Sequence, residues 1–371
     1  MRKILGSLLA LGLLAGCAST SDAGEVFSAV QDGEIELDEG NLPTAKKGDP
    51  EETRPKSMEE LAEEYPEEWA KQLTMIAVLL EEASTRDPYP MDFMASPSTD
   101  LEQADAVEEK VRNATKLWGN YFDAEIPLAV TVVHPNDKEW YLERWEALGR
   151  DNTGEEWFGK ALGMGGGGAV GWNDDDQIPH MYFMFSDRYK PANLKADLFA
   201  HEVTHFFQIL AYGDAFGDQA GTCWIGEGSA EFIGLAGKYS GNFASLEEDL
   251  ALNLKEYSRT RQAVAEGILR RHQADVSRTL AEGLSDDILL MTRIDRECGH
   301  PSGAMLGYKL GMFVTEKFMV DFDIQALVNF FHALREQPVK AAFETATGLD
   351  YEQWVRQDLV PYLEQEFTKT P

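Results

Sequence analysis

The stretch His201-Glu202-Val203-Thr204-His205 decides how this chain is interpreted, because it places two histidines and a glutamate within five residues. It lies in residues 194–212, which contain no Gly or Pro and carry apolar residues at helical spacing, so the sequence predicts a helix there. Positions i and i+4 of a helix share one face, and both imidazoles can therefore reach one metal ion. Glu202 would then lie beside the metal, where it can take a proton from a water molecule. The alternative is a surface helix with two incidental histidines.

A second motif, residues 224–232 (WIGEGSAEF), follows 18 residues after the first. Catalytic zinc usually has three protein ligands and one open position, and two histidines with one glutamate form an established set. Glu227 and Glu231 are spaced i, i+4 on a helix predicted over residues 227–239. One carboxylate can bind the metal while the other accepts the spare N–H of a histidine ligand. Small residues at positions 228–230 would let two helices approach closely. Alternatively, both glutamates face solvent in a chain with 65 acidic residues.

Together, the two motifs resemble those of the gluzincin zinc metallopeptidases, in particular the peptidase MA-like branch. The resemblance implies that His201, His205 and Glu227 bind one Zn²⁺, that Glu202 is the general base, and that Glu231 supports a histidine ligand. The chain has no G-x-M-E-N segment, which related aminopeptidases use to hold the substrate's amino group. That absence argues against a typical aminopeptidase.

Strand patterns lie upstream of the first motif. Residues 128–134 (LAVTVVH) form a β-branched run that predicts a strand. Residues 180–185 predict a strand that returns after residues 169–172 and a turn at 173–176. The glycine-rich segment 163–168 could allow close approach of a substrate backbone, since gluzincins bind peptides along a strand beside the metal-binding helix. It has no Gly-Lys-Ser/Thr, so a phosphate-binding loop is disfavoured. The predicted fold is α+β: a zincin-like catalytic domain with a small mixed sheet, the HExxH helix and a mostly helical C-terminal part.

A tyrosine is the candidate for stabilising the transition state. Amide hydrolysis develops negative charge on the carbonyl oxygen, and a side-chain donor commonly shares that charge with the metal. Tyr308 lies in a helix predicted over residues 302–318, and related metallopeptidases place a tyrosine in a comparable helix. An ordinary buried tyrosine is the alternative, and His300 is a second candidate donor.

The first residues predict export and lipid attachment. Arg2 and Lys3 precede an apolar run over residues 4–15 that is too short to span a bilayer and is typical of a signal peptide. It ends in Leu-Ala-Gly-Cys17, which resembles a bacterial lipobox and implies cleavage before Cys17 and acylation of that residue. Ala18 favours the outer membrane, with the catalytic domain in the periplasm or at the cell surface. A simple secreted protein is the alternative.

Composition divides the rest of the chain. Residues 1–16 are the predicted signal peptide and 17–56 a disordered tether rich in polar residues, Gly and Pro. Residues 57–100 are predicted to form a helical N-terminal segment, and 101–371 the metallopeptidase domain.

Charge and cysteine content limit the partners. The formal net charge of −32 disfavours binding to nucleic acid, which repels such a chain. Once Cys17 is acylated, Cys223 and Cys298 remain in an oxidising compartment. They could form a disulfide or stay as two buried thiols.

These observations predict a membrane-anchored zinc metallopeptidase acting on a peptide or protein substrate. Two alternatives remain open on the sequence: a lipoprotein that binds a peptide or protein without cutting it, and a zinc hydrolase acting on a non-peptide bond.

Overall fold

A four-stranded sheet and a larger set of helices form the part of the chain that the structure describes. In this computed structural model of the 371-residue chain, the described residues are 63, 66, 86–119, 121–122, 126–149, 154–163, 167–172, 179–185, 196–213, 224–237, 262–263, 265–270, 277–290 and 305–368. The strands are β1 (Met91–Ala95), β2 (Leu128–Val133), β3 (Gly167–Trp172) and β4 (Pro179–Met184). The mostly helical composition with a small mixed sheet confirms the α+β class.

The helices fall into a group around the sheet and a C-terminal group. The first group is α1 (Leu101–Lys116), α2 (Lys138–Ala147), α3 (Gly154–Gly163), α4 (Ala196–Tyr212) and α5 (Ser229–Gly237). The second group is α6 (Leu280–Leu290), α7 (Gly311–Phe322), α8 (Ile324–Ala333), α9 (Val339–Thr347), α10 (Tyr351–Trp354) and α11 (Val360–Thr368). Two single π-helical turns lead into helices of the site: the Glu227 turn (Trp224–Gly228) precedes α5, and the Tyr308 turn (Met305–Leu310) precedes α7. A third, Val355–Leu359, joins α10 to α11. None of the described helices combines the length and apolar character needed to cross a membrane.

The sheet has the order β1-β2-β4-β3, with β1, β2 and β4 parallel and β3 antiparallel to β4. All six residues of β2 are buried, because helices cover both faces of the sheet. Alternate residues such as Val130 and Phe183 join the main core with α1 and α4. Val133 and Tyr182 point to the other face, into a smaller core with α2 and α3.

Strand β1 contradicts the helical structure predicted for residues 57–100. Helical structure is predicted over residues 57–100, whereas Met91–Ala95 is a strand that pairs in parallel register with Leu128–Val133. The stretch MDFMA is only five residues long and does not alternate strictly between apolar and polar residues. Its conformation is set by pairing with a distant strand, which a local pattern cannot reveal. Of the remaining residues before position 86, only Glu63 and Pro66 are described, and both are helical.

The Glu227 turn is packed against the C-terminal helices through Trp224. This side chain is fully buried, and its indole Nε1 donates a hydrogen bond to the hydroxyl of Tyr351 over 3.1 Å. The two rings are stacked, with centroids 6.3 Å apart and an angle of 2° between their planes. The C-terminal helical group therefore fixes the position of the Glu227 turn through Trp224.

The Glu227 turn crosses the start of α7 at two glycines. A Cβ atom on Gly228 would lie 2.5 Å from the carbonyl carbon of Gly311 and 2.6 Å from its Cα. A Cβ on Gly311 would lie 2.9 Å from the Cα atoms of Gly228 and Trp224. The expected close approach of two helices at residues 228–230 thus occurs at Gly228. Because backbone meets backbone here, no rotamer change can make room for a side chain.

We expect Gly228→Ala to lower the free energy of unfolding by at least about 1–3 kcal/mol, because overpacking of rigid backbone outweighs the better helix propensity of alanine. Gly159→Ala in α3 is the matched control, since its added methyl group would meet nothing within 4 Å. The control should be stabilised by about 0.5–1 kcal/mol. Urea unfolding of both variants measures the difference, and equal stability of the two would contradict the tight crossing.

Candidate metal centre

Helix α4 brings the two histidines of the first motif together. His201 and His205 are four residues apart on one face, and their Nε2 atoms lie 3.1 Å from each other. The ring centroids are 4.8 Å apart and the rings are nearly perpendicular, at 83°. The opposite side of the helix is anchored in the main core by fully buried residues that include Phe199, Val203 and Phe206. The apolar face fixes the rotation of the helix, and this rotation directs both imidazoles to one point.

Glu227 completes a group of three side chains that could hold a metal ion. Its Oε2 atom lies 3.2 Å from Nε2 of His205 and 3.4 Å from Nε2 of His201. All five residues of the Glu227 turn are buried. Single π-helical turns often occur at functional sites, because they redirect a side chain without ending the helix.

The spacing of the three ligand atoms fits a zinc ion. At zinc–ligand distances of about 2.0–2.2 Å, two ligands of a tetrahedral ion are about 3.3–3.6 Å apart. The three observed separations are 3.1, 3.2 and 3.4 Å. Two imidazoles and one carboxylate are also ligand types that zinc prefers. Among the described residues, this is the one group of three or more His, Cys, Asp or Glu side chains whose ligand atoms are close enough to hold a metal ion.

The charge state of Glu227 also suits a ligand. Burial acts to raise the pKa of its carboxyl, but the charges of His205 and His201 and hydrogen bonds from both rings outweigh burial and hold the pKa well below its ordinary value. The carboxylate is therefore ionised at neutral pH, which is the form that binds a cation.

Glu202 lies inside the protein beside this group. Its side chain is 2% exposed, and its Oε2 atom has no hydrogen-bond partner among the described residues. Burial raises the pKa of the Glu202 carboxyl, an effect that the charges of His201 and His205 oppose and that of Glu227 reinforces. A buried carboxylate oxygen without a partner is costly for a fold to retain, so it indicates a chemical role.

The sheet meets helix α4 at Gly168 of β3. A Cβ atom at this position would lie 3.4 Å from Cγ of Glu202 and 2.6 Å from the ring of Phe183 on the neighbouring strand. A side chain at Gly168 would collide with the ring of Phe183, which packs against Phe199 of the helix, whereas its contact with Glu202 would be an ordinary one. Residues 164–166, which precede β3 in the glycine-rich segment, are outside the described residues.

Glu231 lies next to His201, but its closest contact is with a lysine. Glu231 Oε2 is 3.9 Å from Nδ1 of His201, which is longer than a hydrogen bond. Its other oxygen accepts a hydrogen bond from Nζ of Lys309, in the Tyr308 turn. The support of a histidine ligand by Glu231 stays a prediction. The pairing of Lys309 with Glu231 is not predicted from the sequence motifs.

Tyr308 lies at the site, as the sequence analysis requires of a transition-state donor. Its ring is parallel to that of His201, with an angle of 4° between the planes and 6.0 Å between the centroids. The residue is partly exposed. The competing donor His300, the lipidation site Cys17 and the cysteines Cys223 and Cys298 all lie outside the described residues.

Gln208 is a second residue next to the site that the two motifs do not include. It lies three positions after His205 on the same helix face and is fully buried, and its Oε1 atom is 2.8 Å from Nδ1 of His205. The i, i+3 spacing after a histidine ligand is the sequence signal that points to such a partner.

Comparisons of this chain with protein-family models, with curated proteins and with solved structures found no match. The assignment of the site therefore depends on its own geometry and on the motifs of the sequence.

Proposed function

We propose that this chain is a zinc-dependent metallopeptidase of the gluzincin type, with a zincin-like catalytic domain. The observation that carries the proposal is the convergence of His201, His205 and Glu227 on one point, with the buried carboxylate of Glu202 beside them. These three side chains would hold one Zn²⁺. When bound, the ion would polarise the scissile carbonyl and lower the pKa of a water molecule.

Glu202 is the general base in this proposal. Its carboxylate takes a proton from the attacking water and passes that proton to the nitrogen of the leaving amine. In the buried surroundings of Glu202, electrostatic interactions are stronger than in water, which favours proton transfer at close range. A dication nearby would counteract the burial that raises the pKa of Glu202, so that the carboxyl is ionised before the reaction.

Strand β3 offers a place for the substrate. It lies at one end of the sheet and pairs only with β4 among the described strands, so its other edge can take an extended peptide by main-chain hydrogen bonds. Because Gly168 adjoins Glu202, a peptide on this edge would pass the general base and the metal ligands. A substrate of extended peptide chain fits this arrangement, and a peptide bond is the bond that we propose is cut.

The proposed location depends on the first residues alone. The lipobox at Cys17 supports anchoring in the bacterial cell envelope, in the outer membrane, with the site facing the periplasm or the cell surface. The site would then act on peptides or proteins outside the cytoplasm.

Glu202→Gln should abolish most turnover while leaving zinc bound, because the amide cannot accept the proton. We expect kcat to fall by at least about 10²–10⁴-fold. Metal analysis and cleavage of a diverse peptide library, with and without chelator, measure the two effects, and Glu344→Gln on the exposed face of α9 is the control. Wild-type cleavage by Glu202→Gln would rule out this mechanism. A wild-type protein that holds zinc but cuts no peptide would favour the two alternatives, a lipoprotein that binds a peptide without cutting it or a zinc hydrolase acting on a non-peptide bond.

Glu227→Ala should lose the metal, since only two ligands remain. Its Zn²⁺ affinity should fall by more than the about 10–100-fold typical of a residue that only supports a ligand. Glu231→Ala is the comparison, and it should keep one zinc per chain with a smaller loss. Competition with a chromophoric chelator gives both affinities. Full zinc occupancy in Glu227→Ala would move the third ligand to another residue.

Tyr308→Phe should lower kcat by about 10²–10³-fold if the hydroxyl stabilises the developing negative charge. Its Zn²⁺ affinity should not change, because the ring that stacks on His201 is kept. Steady-state kinetics on the same peptide, with zinc content measured in parallel, separates the two roles. Unchanged kcat would reduce Tyr308 to a packing partner of His201.

A further inference from the structure

Gln208 connects the two motifs of the metal centre through the two ends of one amide. Its Oε1 atom faces Nδ1 of His205 at 2.8 Å. Its Nε2 atom lies 3.0 Å from the carbonyl oxygens of Ile225 and Gly226 and 2.7 Å from Oγ of Ser229. The side chain thus spans from α4 to the Glu227 turn and the start of α5.

These partners fix which way the amide is oriented. Two of the atoms around Nε2 are carbonyl oxygens, which accept hydrogen bonds and never donate them. The hydroxyl of Ser229 donates its own hydrogen to the carbonyl of Ile225, so its oxygen accepts from Gln208. A flipped amide would set its oxygen against both carbonyls, so that acceptors would face each other. The nitrogen therefore faces the turn, and the oxygen faces His205.

The orientation of the amide determines the tautomer of His205. Oε1 of Gln208 can only accept, so Nδ1 of His205 must carry the hydrogen. In the neutral ring, the lone pair is then on Nε2, where it would face a bound Zn²⁺. This is the form of histidine that binds a metal ion through Nε2. Without the ion, the carboxylate of Glu227, 3.2 Å from Nε2, favours a hydrogen on that nitrogen as well, and the ion would take the place of this hydrogen.

We propose that Gln208 is a positioning residue for the metal centre, which sets the tautomer and ring rotation of His205 and the position of the Glu227 turn at the same time. The inference rests on the proposed function, since it takes His205 and Glu227 as ligands. Both ligands are oriented through one fully buried side chain.

The chemistry explains why the residue is a glutamine. A carboxylate at this position would accept the hydrogen of His205 but would repel the carbonyls of Ile225 and Gly226. It would also add negative charge to a site that already contains Glu202 and Glu227. The amide supplies an acceptor at one end and two hydrogens at the other, without a charge.

The proposal is tested on the full-length protein by its affinity for Zn²⁺. Gln208→Met keeps the length of the side chain but removes the donor and the carbonyl acceptor, and it should weaken Zn²⁺ binding by about 10–100-fold. Gln208→Glu should also bind Zn²⁺ more weakly than the wild type, since the carboxylate keeps the acceptor but loses the two N–H donors. Gln325→Met, on the exposed side of α8, is the matched control and should bind like the wild type. Wild-type affinity in Gln208→Met would overturn the proposal.

A second measurement needs no change at Gln208. In the metal-free wild-type protein, ¹⁵N NMR of the imidazoles at pH 8 should show a hydrogen on Nδ1 of His205, whether or not Nε2 also carries one beside Glu227, with the signals assigned through a His205→Gln variant. A His205 ring without a hydrogen on Nδ1 would overturn the proposal even if the Gln208 variants do not fold. Failure of the wild-type protein to bind Zn²⁺ would instead contradict the proposed function, and the tautomer would still test the role of Gln208.

Discussion

The packing of helix α4 against the Glu227 turn is the contact on which the proposed metal centre depends. Two of the three proposed ligands are on α4 and the third is on the turn, so their separation is set by how closely these elements approach. Gln208 bridges them by hydrogen bonds, and Trp224 holds the turn against the C-terminal helices from the other side. An error of one ångström in this contact would separate Glu227 from the histidines by more than a zinc ion can span.

Two glycines lie at tight contacts around the site. Gly228 meets the backbone of Gly311 where the Glu227 turn crosses α7, and Gly168 of β3 lies against the ring of Phe183, beside Glu202. The first crossing brings the Tyr308 turn, which immediately precedes α7, up to the histidines. The second brings β3, the end strand of the described sheet, to Glu202, which is the proposed general base. A larger residue at Gly228 would push two backbones apart, and one at Gly168 would displace the ring of Phe183.

Buried carboxylates are the main electrostatic liability of this centre. Glu202 and Glu227 are both almost fully buried, in a chain whose net charge is −32. The histidines compensate Glu227, whereas Lys309 pairs with the more exposed Glu231. Glu202 has the least compensation from the described residues, which agrees with a group that gains its balance only when a cation and a substrate are present.

The sequence by itself determined the residues whose geometry is local. The i, i+4 spacing of His201 and His205 fixes one helix face whatever the rest of the fold does, and the strand at β2 follows from its β-branched run. Only the tertiary structure decided the pairing of β1 with β2, the contact of Gln208 with the Glu227 turn and the placement of Tyr308 next to His201. Each of these joins segments that are 17 or more residues apart along the chain. Such contacts depend on how whole elements pack together, and no local pattern records that packing.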